Sequence, residues 1–170
     1  ELDLRYGWGF ENYYDEYEVG FELSYRPINT LTISAEPEWS KSWNTMQYVT
    51  TTENDNDPDD PRYVFGTIDQ EILAISFRVD YNITPDLTIQ YWGQPFFGSG
   101  SYTDFKYITD PNAPEFTDRF HIYNENEIIY DEDDGNYHVD EDVDGSFDYS
   151  FEKPDFTVSE FLSNLVIRWE

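Results

Sequence analysis

The segment VDEDVDGSFDYSFE, Val139 to Glu152, has the residue types and spacing of a cation-binding loop. Asp140, Asp142 and Asp144 alternate, Gly145 follows and Asp148 comes three residues later. These fill positions one, three, five, six and nine of the D-x-D-x-D-G calcium pattern. Calcium takes about six to eight oxygen ligands, and the glycine permits the sharp turn that folds the carboxylates inward. The twelfth position, where a bidentate glutamate belongs, is Phe151, and Glu152 lies one place too far. The run therefore resembles the short calcium loops of extracellular repeat modules more than a complete EF-hand. The competing reading is a solvated acidic loop, because acidic runs match such patterns by chance. His138, two residues before Asp140, could add a nitrogen ligand, although a histidine here more commonly faces solvent. His121 lies in the same long segment. A second acidic cluster, NDNDPDDP (54–61), carries Pro58 and Pro61, which hinder a wrapped cage and favour a solvated loop tip.

Other chemistry finds little support. There is no cysteine, which excludes thiol catalysis and cysteine metal sites. No P-loop, G-x-S-x-G or H-E-x-x-H motif occurs. Glu36 and Glu38 invite comparison with a glycosidase pair, but two residues apart on a strand they stand side by side rather than flanking a bond. These residues point to no enzyme.

The elements that must carry the acidic loops are strands. Leu2, Leu4, Tyr6, Trp8 and Phe10 alternate with polar or glycine positions, as do Tyr17 to Tyr25 and Leu73 to Ile83. Period-two alternation marks strands with one apolar and one polar face. Tight connections at 26–30 and 82–86 alternate with long acidic ones, the longest from Thr109 to Phe156. The pattern predicts about six antiparallel strands, near 1–10, 17–27, 30–52, 62–84, 87–108 and 157–170. Three of these far exceed the roughly 5 to 6 residues usual in soluble domains. A transmembrane β-barrel has short turns at one end, long loops at the other, an apolar outside and a polar lumen. The fold expected is thus all-β: a partial antiparallel transmembrane barrel filling residues 1–170, with 109–156 as a long acidic extracellular loop.

Charge and aromatic content agree with that separation of faces. The 9 Lys+Arg against 37 Asp+Glu give a formal charge of -28, which excludes nucleic acid as a partner. Aromatic residues make up 19%, too many for a disordered acidic tail. Trp8, Phe10, Tyr17, Trp39, Trp43, Tyr63, Phe65, Phe96 and Phe97 cluster near the long-loop ends, with Tyr25 and Tyr81 near the short turns, as in interfacial belts. Arg5, Arg26, Arg78 and Arg168 share the polar parity with Asp3, Glu18, Glu22, Glu36, Glu38 and Asp80. This predicts cross-strand ion pairs within a plugged lumen, with a selective pore as the alternative. Pro37 and Pro95 fall within strands and predict bulges or local edges. No apolar run reaches the roughly 18 residues of a membrane helix. The first residues do not read as a signal peptide, so any secretion signal is expected upstream or removed. A six-stranded chain ending at NLVIRWE without a closing turn reads as a piece of a longer barrel.

The blocks QYV (47–49), RYVFG (62–66), FRVDYNITPDLTIQYWGQPFFGSGSYTDFK (77–106), PDF (154–156) and SNLVIRWE (163–170) resemble the C-terminal region of a Bacteroidota-type outer-membrane family. That family is known only as a domain of unknown function, DUF family 5916. The resemblance implies a β-barrel that normally follows a domain like the family 9 carbohydrate-binding modules, and that continues past the final Arg-Trp-Glu. Neither the sugar-binding-like domain nor the closing strand is in this sequence, so a carbohydrate role is implied for the parent protein only. The resemblance supplies no catalytic residue.

The function expected is an outer-membrane scaffold or anchor, in contact with lipid and lipopolysaccharide and with partner proteins of a larger assembly, the Thr109–Phe156 loop being the docking surface. The accessory ligand expected is calcium, at Asp140, Asp142, Asp144 and Asp148. The alternatives are a pore for small saccharides or other solutes, and a soluble carbohydrate-binding β-sandwich.

Overall fold

The structure, a computed structural model, describes residues 2–9, 13–54 and 57–169, without the side chains of Leu2 and 54–60. Phe10, Asp55 and Asn56 therefore lie outside the described residues, and of the 54–61 acidic cluster only Pro61 has a described side chain. What is described is all-β and antiparallel, with no α-helix.

Five of the strands follow the predicted alternation closely: β1 (Leu2–Trp8), β2 (Tyr14–Phe21), β3 (Leu23–Ile28), β4 (Leu31–Asn54) and β5 (Asp57–Thr84). β6 (Leu87–Ile108) completes the long central trio, whose members run 24, 28 and 22 residues. The excursion after β6 carries a 3₁₀ turn (Phe116–Arg119) and four short strands: β7 (Phe120–Ile122), β8 (Ile128–Asp131), β9 (Asn136–Val139) and β10 (Tyr149–Glu152). β11 (Phe156–Trp169) returns beside β6.

The main sheet has the order β1-β2-β4-β5-β6-β11, with β3 continuing β2 against β4 and β7 extending the β11 position against β6. These are the six strand positions the alternation predicts. β4 and β5 pair through Thr51↔Tyr63 and Thr52↔Arg62, as the predicted strand ends require, and pairing resumes beyond them at Asn54↔Asp57. Two-residue turns at Asn29–Thr30 and Pro85–Asp86 close the short end. β1 pairs on one side only and so does β11, leaving the sheet open among the described residues.

The two prolines act as local edges, not bulges. β2 pairs β4 as far as Gly20↔Glu38 and β3 resumes at Leu23↔Ala35, so the break between them lies opposite Pro37, which has no N–H to donate. Register is unchanged across it. Pro95 keeps its β11 partner, Phe161, while the β5 ladder passes from Ala74↔Phe96 to Phe77↔Gly93 without a shift. Register shifts fall elsewhere: near the loop end, in β4 between Asn44 and Gln47 and in β6 between Thr103 and Lys106, and beside the short turns, between Tyr25 and Ile28 and between Asn82 and Thr84.

Cross-strand register assembles the two faces. One row reads Leu4, Val19, Trp39, Leu73, Phe97, and another Tyr25, Ile33, Val79, Tyr91, Leu165. The opposite face carries Asp3, Gly20, Glu38 and Ala74 in one row and Thr32, Asp80 and Gln90 in another. Phe96 belongs to this polar face, opposite Ala74, and so does not share a face with Phe97, with which the sequence pattern grouped it. On the apolar face, large side chains stay open: Leu4 is 67% exposed, Leu23 61% and Ile167 62%. The tip of the Phe77 ring occupies the space over Gly93, its register partner, where an added Cβ would lie 2.5 Å from Cζ.

The buried core is elsewhere. Val64, Phe105, Tyr123, Val139, Tyr149 and Phe151 form one cluster at the loop end, joining β5 and β6 to the excursion. Burying an aliphatic or aromatic side chain of this kind is worth about 1.5–3 kcal/mol. The long acidic loop thus folds as a cap around its own apolar residues.

Candidate functional site

The cap is built from both sides of the sheet. β8, β9 and β10 form a three-stranded antiparallel sheet in the order β10-β9-β8. Alternation along β5 places Val64 on the same face as Ile68, Gln70, Ile72 and Ala74, so this small sheet covers the polar face. β7 divides the two sides: Ile122 sits opposite Lys106, whereas His121 sits opposite Tyr107.

The acidic loop hangs between β9 and β10. Asp140 and Asp148 are buried, with 7% and 4% exposure, and Asp142 is exposed. One carboxylate oxygen from each of Asp140, Asp142 and Asp148 lies within 4.8 Å of the others. Asp140 accepts backbone N–H bonds from Asp144 (3.1 Å) and Gly145 (2.8 Å), which wraps the chain into the turn. Gly145 has φ +94°, where a Cβ would strain, and Val143 takes φ +57°. Asp148 accepts from Glu141 N–H at 2.7 Å. Asp144 is not in the converging trio; its Oδ1 accepts from Ser146 N–H at 2.8 Å. Partial desolvation, with the charges of Asp144 and Asp148, pushes the Asp142 carboxyl above the ordinary aspartate value. Three of the four predicted ligands therefore converge, two of them buried carboxylates.

His138 does not join them. Its Nε2 lies 2.9 Å from Asp134 Oδ2 and its ring stacks on Phe147 with centroids 4.9 Å apart. With Asp131 it forms a separate cluster on the outer side of the small sheet. His121 Nε2 lies 2.8 Å from Glu127 Oε2. Burial acts to raise Glu127, but the Asn124 N–H and His121 outweigh it and hold the carboxyl below its ordinary value.

Sequence reasoning missed the group that fastens the cap. Arg62 on β5 reaches across 79 residues to Glu141, donating from Nε at 2.9 Å and from Nη2 at 2.9 Å to its two oxygens. Tyr149 donates to Glu141 at 2.5 Å, and Tyr123 and Tyr149 share a 2.5 Å hydroxyl contact. Burial pushes both phenols well above the ordinary tyrosine value, Tyr149 being raised further by Tyr123 and Glu141. They remain neutral donors. The Arg62 guanidinium also lies 5.0 Å from the centroid of Tyr107, whose ring stacks on Tyr123. The only local signal was the position of Arg62 just beyond a predicted loop; its partner is set by tertiary contact.

On the polar face of the sheet Arg5 pairs with Glu18 at 3.0 Å, as predicted. Arg26 instead donates to Thr32 Oγ1 at 3.3 Å. Carboxylates Asp3, Glu18, Glu22, Glu36 and Glu38 gather with Arg5 around a polar concavity.

The fold and this site define a class: an all-β chain in which one long antiparallel sheet, apolar on one face, carries a folded acidic cap at one end. No family model matches the chain, and no curated protein or solved structure matches it either.

Proposed function

We propose that the chain is part of a transmembrane β-barrel of a bacterial outer membrane, a scaffold whose outward end is closed by the 109–156 cap. The observation that carries this reading is the height of the apolar band. Along β4 the outward-pointing residues run Leu31, Ile33, Ala35, Pro37, Trp39, and the next one is Lys41. Along β5 the matching run is Tyr81 to Leu73, followed by Glu71 and Asp69, and along β6 it is Leu87 to Phe97, followed by Ser99 and Ser101. All three strands change character in the same row, Lys41–Glu71–Ser99. The band is about 9 to 11 residues tall, the length a tilted strand needs to cross the hydrocarbon.

Its upper border is dressed as an interface. Trp39 donates its indole N–H to Glu71 in the row above at 2.7 Å, turning its polar edge out of the band. Tyr6 and Tyr17 stand in the Lys41 row, and Trp8 and Trp43 in the Asp69 row. Lys41 pairs with Asp69 at 3.1 Å. A soluble sandwich needs a second layer on the apolar face, whereas the small sheet covers the opposite one. That cap over the polar face favours a plugged lumen over an open pore, and its outer surface, with Ile129 53% and Phe147 54% exposed, serves as a docking face for partner proteins.

The absence of native cysteine makes a direct test available. Single cysteines introduced at 72–80, each carrying an environment-sensitive dye, are read in vesicles containing nitroxide-labelled lipid. Quenching is expected at positions 73, 75, 77 and 79 and not at 72, 74, 76 and 78. A profile without period two removes the membrane reading.

Calcium fits the converging oxygens of Asp140, Asp142 and Asp148, and its charge would offset the repulsion between two buried carboxylates. With the ion bound, cleavage of the 140–148 loop by protease is expected to slow at least about tenfold, and chelation to reverse this. Asp140→Asn should abolish the difference. Equal cleavage rates with and without chelator dispose of the site.

A further inference from the structure

We propose that a second cavity, on the apolar-face side of the loop end, binds a hexuronic acid, with Lys106 taking its carboxylate. This site stands whether or not the membrane reading holds. The cavity, about 370 Å³, is lined by Tyr13, Trp43, Asp104, Lys106, Phe116 and Phe120, among others. Lys106 is 3% exposed, and its ammonium donates to Thr45 O (2.7 Å) and Thr67 Oγ1 (3.3 Å). The Phe120 ring centroid lies 5.5 Å away. Among the described residues Lys106 makes no ion pair, in a chain with 37 acidic residues. Burial lowers the lysine below its ordinary value, against the pull of Asp104.

The backbone is bent to put this lysine there. Gln94, Gly98, Gly100 and Tyr102 on β6 all face the polar side, and strict alternation would send Lys106 the same way. The bulge that sets Thr103 opposite Thr67 but Lys106 opposite Phe65 inserts one residue and turns Lys106 to the other face. Asp104, within the bulge, takes φ +46°, a conformation costly for a residue with a Cβ. A bulge in β4, between Asn44 and Gln47, flanks the same spot and brings the Thr45 carbonyl to the ammonium. Two bulges and a strained aspartate converge on one buried cation.

The lining suits a sugar acid. An ammonium is a point charge that meets a single carboxylate without needing a fork. Asp104 and Thr67 offer partners for hydroxyl groups, and the rings of Trp43, Phe116 and Phe120 offer faces for the apolar side of a pyranose. One cation balanced by Asp104 disfavours a dianionic phosphate ester. The volume lies at the small end for ligand pockets, which fits one sugar unit or the end of a chain.

The test uses the full chain in detergent micelles, titrated with sodium galacturonate at pH 7. Binding is read by saturation-transfer NMR and by the change in tryptophan fluorescence as Trp43 is covered. Saturable binding near about 1 mM is expected, with neutral galactose at least about tenfold weaker. Lys106→Gln should weaken galacturonate about tenfold or more, and Phe116→Leu, at the cavity wall, about threefold. Absence of saturable binding to the native chain overturns the proposal, as does equal affinity for galactose. Should Lys106→Gln fail to fold, the Phe116→Leu variant decides: undiminished affinity with an unchanged circular dichroism spectrum also overturns it.

Discussion

Ile75→Arg is expected to cost the chain about 2–4 kcal/mol of stability in a bilayer, whereas Ala74→Arg, one residue away, stays within about 1 kcal/mol of the native chain. Ile75 shares its row with Pro37, one row from the middle of the apolar band, and a guanidinium there must be taken into hydrocarbon. Ala74 sits opposite Glu38 on the polar face, where an arginine gains a carboxylate neighbour. The measurement is urea unfolding from lipid vesicles, followed by tryptophan fluorescence. Because neighbouring residues on a strand point to opposite faces, the pair separates lipid contact from mere surface exposure. In an aqueous setting the partly exposed Ile75 would accept arginine with a loss below about 1 kcal/mol, and that outcome would rule out lipid on this face.

Glu141→Ala is expected to open the cap while leaving the sheet intact. The change removes the carboxylate that accepts two guanidinium hydrogen bonds from Arg62 and one from Tyr149. Breaking a buried ion pair costs about 3–5 kcal/mol. Arg62 and Glu141 keep 17% and 15% side-chain exposure, which brings the expectation to about 2–4 kcal/mol. At 1.4 kcal/mol per decade this is roughly a 30- to 1,000-fold rise in local opening. Hydrogen exchange at the amides of Tyr123, Asp140 and Asp148 reports it, since these bond to Phe105, Glu127 and Val139 respectively. Amides in the middle of β5 and β6 should be unmoved. Arg62→Met combined with Glu141→Leu should restore more than half of the lost protection, because an apolar pair of similar volume leaves no charge behind. Exchange that accelerates less than about threefold at those three amides, or equally through the sheet, would show that the pair does not hold the cap.

Both expected results follow from a division in what the chain can encode locally. A strand alternates its side chains every two residues, so the run from Leu73 to Ile83 reveals its faces without reference to any other segment. Turn chemistry is equally local: Asn29–Thr30 and Pro85–Asp86 mark their own reversals. The acidic loop is legible for the same reason, since D-x-D-x-D-G folds around its own backbone. Asp140 does accept the Asp144 and Gly145 N–H groups. Where the local rule fails, it fails at bulges. Lys106 would be assigned to the polar face by parity, and one inserted residue reverses it. The prolines are the local edges that a missing donor predicts, each absorbed by a break in a neighbouring ladder without a shift of register.

By itself, then, the sequence determined the six strand positions, the end at which turns are short, and the separation of apolar from polar faces. It also determined that aspartates near 140–148 could gather. Tertiary structure alone decided that the loop from 109 to 155 folds over the polar face, that Arg62 meets Glu141, and that Lys106 is buried among aromatic rings. The physical reason is range: alternation and turns arise from steric and hydrogen-bonding rules within a few residues. A core shared by Val64, Phe105 and Val139 exists only once segments far apart in the chain have been brought together.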